Sequence, residues 1–213
     1  MEINVLEGAL MRLAREMLVA VTVLVVAAGV LQLGQGVYIK AKAVLAQHLL
    51  EQAWARTQAG DHQVKPWAWA DTWPLARIVI PSQHKTYILL AGDSGRTLAF
   101  GPGHHTGSPL PGEPGNSMIS GHRDTHFSFL QYLANDDEII LETVHGKTKH
   151  YQVEQGRIMS ADNAWVVDDD SVSRLTFVTC YPFNALQPGT AMRYVITAVE
   201  VDVDVVNTRP ISL

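Results

Sequence analysis

Residues Met17 to Ile39 form an uninterrupted run of 23 residues without a charge, MLVAVTVLVVAAGVLQLGQGVYI. As a helix at about 1.5 Å per residue, such a run spans the roughly 30 Å hydrocarbon core of a bilayer. A buried core helix seldom needs a stretch of this length. A cleaved signal peptide fits less well, although Ala41-Lys42-Ala43 has the small-residue look of a cleavage site. The run exceeds a signal h-region of about 7–15 residues, and Lys40 intervenes before that site. The run therefore predicts an uncleaved signal anchor, residues 1–39, that crosses a membrane once. Charge does not orient it: Arg12 and Arg15 precede the span, and Lys40 and Lys42 follow it.

Beyond Ile39 the chain is an ordinary polar body, holding 14 of the 16 basic and 18 of the 21 acidic residues. The formal net charge of -5 argues against a nucleic-acid partner, which needs a basic surface. Residues 40–70 read as a helical stalk and linker. Lys40 to Arg56 holds good helix formers with neither Gly nor Pro, and Val44, Leu45, Leu49 and Trp54 make an imperfect apolar stripe. Trp67 and Trp69 suit either a membrane interface or packing on the domain.

From Asp71 to Leu213 the texture changes to short β-branched runs separated by Gly, Pro, Asn and Asp. Strands are expected at Leu75–Ile80, Thr86–Ala91, Ser117–Ser120, Glu138–Glu142, Lys149–Glu154, Gly156–Met159, Arg174–Thr179 and Met192–Val201. Short helical pieces are expected at Ser94–Phe100, Phe127–Leu133 and Asp162–Trp165. Eight short strands without long intervening helices indicate a mainly β fold, a closed barrel or sandwich. Gly101 to Asn116, with five glycines and four prolines, reads as an irregular loop.

The chain has one cysteine, Cys180, which excludes an internal disulfide and a cysteine-rich zinc site. It closes a predicted strand and is followed by Tyr181-Pro182, where the strand must stop. A thiol at a strand end is reachable; a buried packing cysteine is the plain alternative. His122 ends another short apolar strand, and a histidine beside a cysteine raises its thiolate fraction and can protonate a leaving amine. Arg193 opens the last strand beyond Gln187-Pro188-Gly189. If the flanking strands run antiparallel, Arg193 faces Cys180 and can donate to an oxyanion. Nothing in the periodicity brings His122 to Cys180.

Taken together, these residues resemble the sortase family. Leu175-Thr176-Phe177-Val178-Thr179-Cys180 resembles the TLxTC signature, with Phe177 where leucine is usual. Gly121-His122-Arg123-Asp124-Thr125 resembles the histidine motif, and Arg193-Tyr194-Val195 matches the arginine after the nucleophile. The resemblance runs from about Trp73 to Val201 and is nearest to the sortases of Gram-negative bacteria, sometimes called class GN. It implies an eight-stranded β-barrel cysteine transpeptidase. Cys180 would attack a C-terminal, LPxTG-like sorting signal of a secreted protein, His122 would transfer protons, and Arg193 would steady the oxyanion. An amine acceptor would resolve the thioester. Thr179, His126 and Asp124 are further candidates for lining the site. The barrel would then lie on the periplasmic face of the cytoplasmic membrane, with the amino-terminal tail in the cytoplasm.

That reading assigns no cofactor and no metal. His104-His105 and His122-x-x-x-His126 lack the His-Glu-x-x-His pattern, and Asp136-Asp137-Glu138 and Asp168-Asp169-Asp170 lack EF-hand spacing. Two rivals remain: a hydrolytic cysteine protease, and a non-enzymatic membrane-tethered barrel adaptor.

Overall fold

The computed structural model describes residues 2–164, 172–185, 187 and 189–202. It divides into two compact units, Met1–Leu45 and Ala46–Leu213. A single helix, α1 (Glu2–Gln58), starts in the first and ends in the second. Within the first unit, the side chains from Met17 to Ile39 are exposed all round, so this stretch buries none of its apolar surface on protein. It is long and apolar enough to cross a membrane.

In the second unit, the end of α1 packs against the β-strands. Ala46, Leu50, Ala53, Trp54 and Thr57 are buried, a spacing that keeps one helix face inward. Leu50 and Trp54 cluster with Ile88 and Leu90. Polar anchors flank this contact. Gln47 Nε2 donates to the Phe100 carbonyl at 2.8 Å, and Gln58 Nε2 to that of Thr143 at 2.7 Å. Arg77 Nη2 meets Glu51 Oε2 at 2.5 Å. The stripe expected from sequence is thus corrected: Val44 and Leu45 are exposed, and smaller residues complete the buried face. Past the helix, Trp67 packs edge-on against Phe100 at 4.7 Å, while Trp69 is 85% exposed.

The strands are β1 (Pro74–Ile80), β2 (Lys85–Ala91), β3 (Gly103–His104), β4 (Gly115–Ser120), β5 (Glu138–Thr143), β6 (Thr148–Ser160), β7 (Ser173–Tyr181) and β8 (Met192–Val201). They close a barrel in the order β1-β2-β3-β4-β7-β8-β6-β5. The expected mainly β, eight-stranded barrel with few helices is what forms. Its strand list differs in two places. Lys149–Glu154 and Gly156–Met159 are one strand, β6, whose register against β8 shifts between Val153 and Gly156. The shift is the signature of a bulge, which bends a strand without ending it. The eighth strand is instead β3, inside the Gly- and Pro-rich segment. Its two residues pair with β2 and β4, contacts that only the closed barrel supplies.

Short helical pieces form at α2 (Gly95–Leu98) and as 3₁₀ turns at Ser128–Tyr132 and Ala161–Asn163. Trp165 and the Asp168-Asp169-Asp170 triplet lie outside the described residues. Inside the barrel, Ile78, Leu89, Ile119, Phe127, Leu141 and Phe177 make up much of the core. A smaller apolar cluster (Met118, Val178 and Val195, with Ala164 and Met159) covers the opposite face of β4, β7 and β8. Alternation along the strands produces both: odd positions of β7 point in, even positions out.

Candidate active site

Cys180 is the penultimate residue of β7 and half-buried. In the antiparallel β7–β8 pair it stands directly opposite Arg193, so the two side chains share one face. The sequence-based expectation for this pair holds. His122 arrives by another route. β4 and β7 run parallel, pairing Ser120 with Val178. Beyond the strand, Gly121 N–H donates to the Val178 carbonyl at 3.2 Å, and Thr179 Oγ1 donates to the Gly121 carbonyl at 2.7 Å. This sequence offset of 58 continues one residue past β4, linking Gly121 to Thr179, and His122 and Cys180 are the residues that follow them. A parallel crossover leaves no short-range trace in the sequence, which is why periodicity could not reveal it.

A tight turn holds His122. Its carbonyl accepts from Phe127 N–H at 2.9 Å, and Phe127 is buried beneath the turn. A Cβ on Gly121 would lie 2.6 Å from the Phe127 ring, so glycine permits this close approach. The His122 ring is exposed. Arg193 Nη1 donates to the Thr190 carbonyl at 2.5 Å and the Met192 carbonyl at 3.0 Å.

The other sequence candidates take different positions. Thr179 is 2% exposed, and its hydroxyl braces the Gly121 carbonyl; its odd register turns it inward, away from the face bearing Cys180. His126 is half-buried beside Tyr87, ring centroids 6.0 Å apart. Burial pushes its pKa down, the charge of nearby His122 adds to that, and Asp124 opposes it. Asp124 is exposed. The paired histidines diverge: His104 is buried, with Nε2 2.9 Å from the Pro109 carbonyl, whereas His105 Nδ1 meets Asp93 Oδ2 at 3.0 Å. In the Asp136-Asp137-Glu138 turn, Asp137 accepts from Ala134 N–H at 3.0 Å and Glu138 contacts His150 Nδ1 at 2.6 Å.

Sequence reasoning missed Asp93, Ser120 and the structural use of Arg123. Asp93 Oδ2 accepts from Ser120 Oγ at 3.4 Å, tying the β2–α2 connection to the end of β4. Arg123 is buried and reaches the β7–β8 connection, donating at 2.7 Å to the carbonyls of Ala185 and Gln187. On the face of the sheet that bears Cys180, Met118, Val178 and Val195 form a buried apolar cluster. Through Val195, Met159 and Ala164 it continues into a polar cleft of about 340 Å³, lined also by Asn116, Arg157, Arg174 and Thr176.

A thiol, a guanidinium and an imidazole are groups that can act as nucleophile, hydrogen-bond donor and proton carrier. A family model described as the sortase domain matches residues 78–201. Sortase D of Bacillus subtilis (strain 168) is 30% identical over 119 residues, which cover 55% of this chain and 59% of that protein. Among solved structures, sortase C-1 from Actinomyces oris is 28% identical, with a TM-score of 0.55 over 61% of this chain and 75% of that one. Sortase A from Corynebacterium diphtheriae, 23% identical, shares the fold with a TM-score of 0.57 over 75% of this chain and 85% of that one. With the domain match covering more than half of its residues, and on a closed eight-stranded barrel like theirs, this chain belongs to the sortase family.

Proposed function

We propose that this chain is a membrane-anchored cysteine transpeptidase, with Cys180 as nucleophile, His122 as general acid and base, and Arg193 as oxyanion donor. The observation that supports the reading is the pairing of Cys180 with Arg193 across β7 and β8, with the residue before Cys180, Thr179, hydrogen-bonded to the residue before His122, Gly121. The Cys180 thiolate attacks the carbonyl carbon of a substrate peptide bond. Arg193 steadies the negative oxygen of the tetrahedral intermediate. His122 protonates the departing amine as the C–N bond breaks, leaving a thioester. An incoming amine, deprotonated by His122, attacks the thioester and releases Cys180 with a new amide.

The substrate we propose is a secreted protein with a C-terminal, LPxTG-like sorting signal. The motifs around His122 and Cys180 are what support that substrate class. The apolar part of α1 supports a single-pass anchor in the cytoplasmic membrane. The Gram-negative, class GN assignment, with the barrel in the periplasm, rests on the sequence motifs. The test is to incubate the full chain in detergent with an LPxTG peptide and a series of amines. A peptide–amine conjugate that grows with amine concentration is expected. Hydrolysed peptide alone at every amine concentration would make the chain a protease instead.

A further inference from the structure

Arg123 follows His122 in the chain, yet its side chain is buried, at 8% exposure. A buried guanidinium is costly unless its hydrogen bonds are met. No carboxylate forms an ion pair with it among the described residues; the neighbouring Asp124 is exposed. Its partners are two backbone carbonyls and one side-chain hydroxyl. Nη2 donates to the Ala185 and Gln187 carbonyls, both at 2.7 Å, and Nη1 lies 3.4 Å from Thr190 Oγ1. All three acceptors belong to the connection between β7, which carries Cys180, and β8, which opens near Arg193. The same connection holds Arg193, whose Nη1 donates to the Thr190 carbonyl at 2.5 Å.

We propose that Arg123 is a positioning residue that clamps the β7–β8 connection to the histidine turn and thereby sets the place of Arg193 opposite Cys180. The proposal rests on the transpeptidase reading for its effect on turnover, but not for the clamp itself. The physical argument is one of carbonyls without a ladder. Ala185 and Gln187 lie between β7 and β8, outside the sheet, so their carbonyls need donors other than a ladder partner. A planar guanidinium can serve several carbonyls from one buried position, which a lysine ammonium does less well. Charged donors in a low-dielectric setting make these bonds strong. One side chain thus couples the residue after His122 to the loop that orients Arg193.

The test uses the full chain in detergent, with Arg123→Gln and Arg123→Lys. Amide hydrogen exchange reads the clamp, turnover of an LPxTG peptide reads its effect, and iodoacetamide alkylation of Cys180 reads whether the thiol is intact. For Arg123→Gln, exchange over residues 185–193 should rise about tenfold while β5 and β6 stay unchanged. Turnover should fall about 10- to 100-fold, the scale of a misplaced catalytic group. Alkylation should stay within about twofold of wild type, and Arg123→Lys should recover part of both losses, since it keeps the charge. If Arg123→Gln does not fold, the same readouts on Arg123→Lys decide, with smaller losses of the same kind expected. Unchanged exchange over 185–193 overturns the clamp. Unchanged turnover with a loosened loop overturns its role in positioning Arg193. A wild-type chain that turns over no such peptide with any amine overturns the transpeptidase reading, and the exchange result then judges the clamp alone.

Discussion

Gly121 leaves no space beside the histidine turn. A methyl group there meets the Phe127 ring at 2.6 Å, so either the ring or the turn must move. Gly121→Ala is expected to cost about 1–3 kcal/mol of stability, as overpacking does, and to lower peptide turnover about 100-fold through displacement of His122. Thermal unfolding and a turnover assay on one preparation check both; a variant that turns over normally would mean the ring yields and the histidine stays. Cys180→Ala makes the opposite prediction. The sulfur is half-buried and forms no disulfide, so the melting temperature should hold within a few degrees. Turnover should vanish, and residual conjugate formation would exclude Cys180 as nucleophile. At this scale the sequence was informative where chemistry comes from residue type. Cys180, His122 and Arg193 stand in recognisable motifs. The inward side chain of Thr179 and the buried one of Arg123 were not legible, because each depends on which face of a closed sheet a residue occupies.

The last turns of α1 separate two kinds of helix surface. Leu50 is fully buried against Ile88 and Leu90, whereas Val44, two turns earlier, is exposed. Leu50→Ala should destabilise the barrel by about 2–5 kcal/mol, and Val44→Ala by less than about 0.5 kcal/mol. Denaturant unfolding of the two variants in detergent distinguishes them; equal losses would contradict the helix docking. Removing residues 1–45 should leave a folded barrel, whereas removing residues 1–70 also strips Leu50 and Trp54 from the Ile88 and Leu90 surface and should lower the melting temperature sharply. The strand expectations show the same division. Seven of the eight strands carry alternating or β-branched runs that the sequence displays. β6 reads from sequence as two strands separated at Gln155, where the structure has one strand with a register shift between Val153 and Gly156. A Cβ on Gly156 would meet the phenol end of Tyr194 across the sheet, and glycine leaves that side chain its room. β3 had no pattern at all, being two residues whose partners lie on β2 and β4.

For the whole molecule, the buried histidines set a pH limit. Burial is the main cause that lowers the pKa of His104 and of His126 below the ordinary 6.5. Both therefore stay neutral in the fold at a pH where the unfolded chain already binds protons. The unfolded state then holds more protons, so stability rises with pH through this range and falls on acidification. The melting temperature should drop between about pH 7.5 and about pH 5.5, and His104→Gln should flatten that drop. A profile in the variant as steep as in wild type would remove His104 as a cause. The amino-acid sequence by itself determined what local composition can determine. The 23-residue uncharged run is an anchor-length helix, alternating β-branched segments are strands, and three short motifs mark a sortase with one thiol. These follow from nearest-neighbour chemistry and periodicity, which need no knowledge of distant contacts. Tertiary structure alone decided that β4 lies parallel to β7, and hence that residues 58 apart share one level of the barrel. It also decided that helix α1 ends on the barrel wall, and that Arg123 turns inward to the loop before Arg193. Each of these is a contact between segments far apart in the chain, paid for by closing long loops, and no local pattern carries that information.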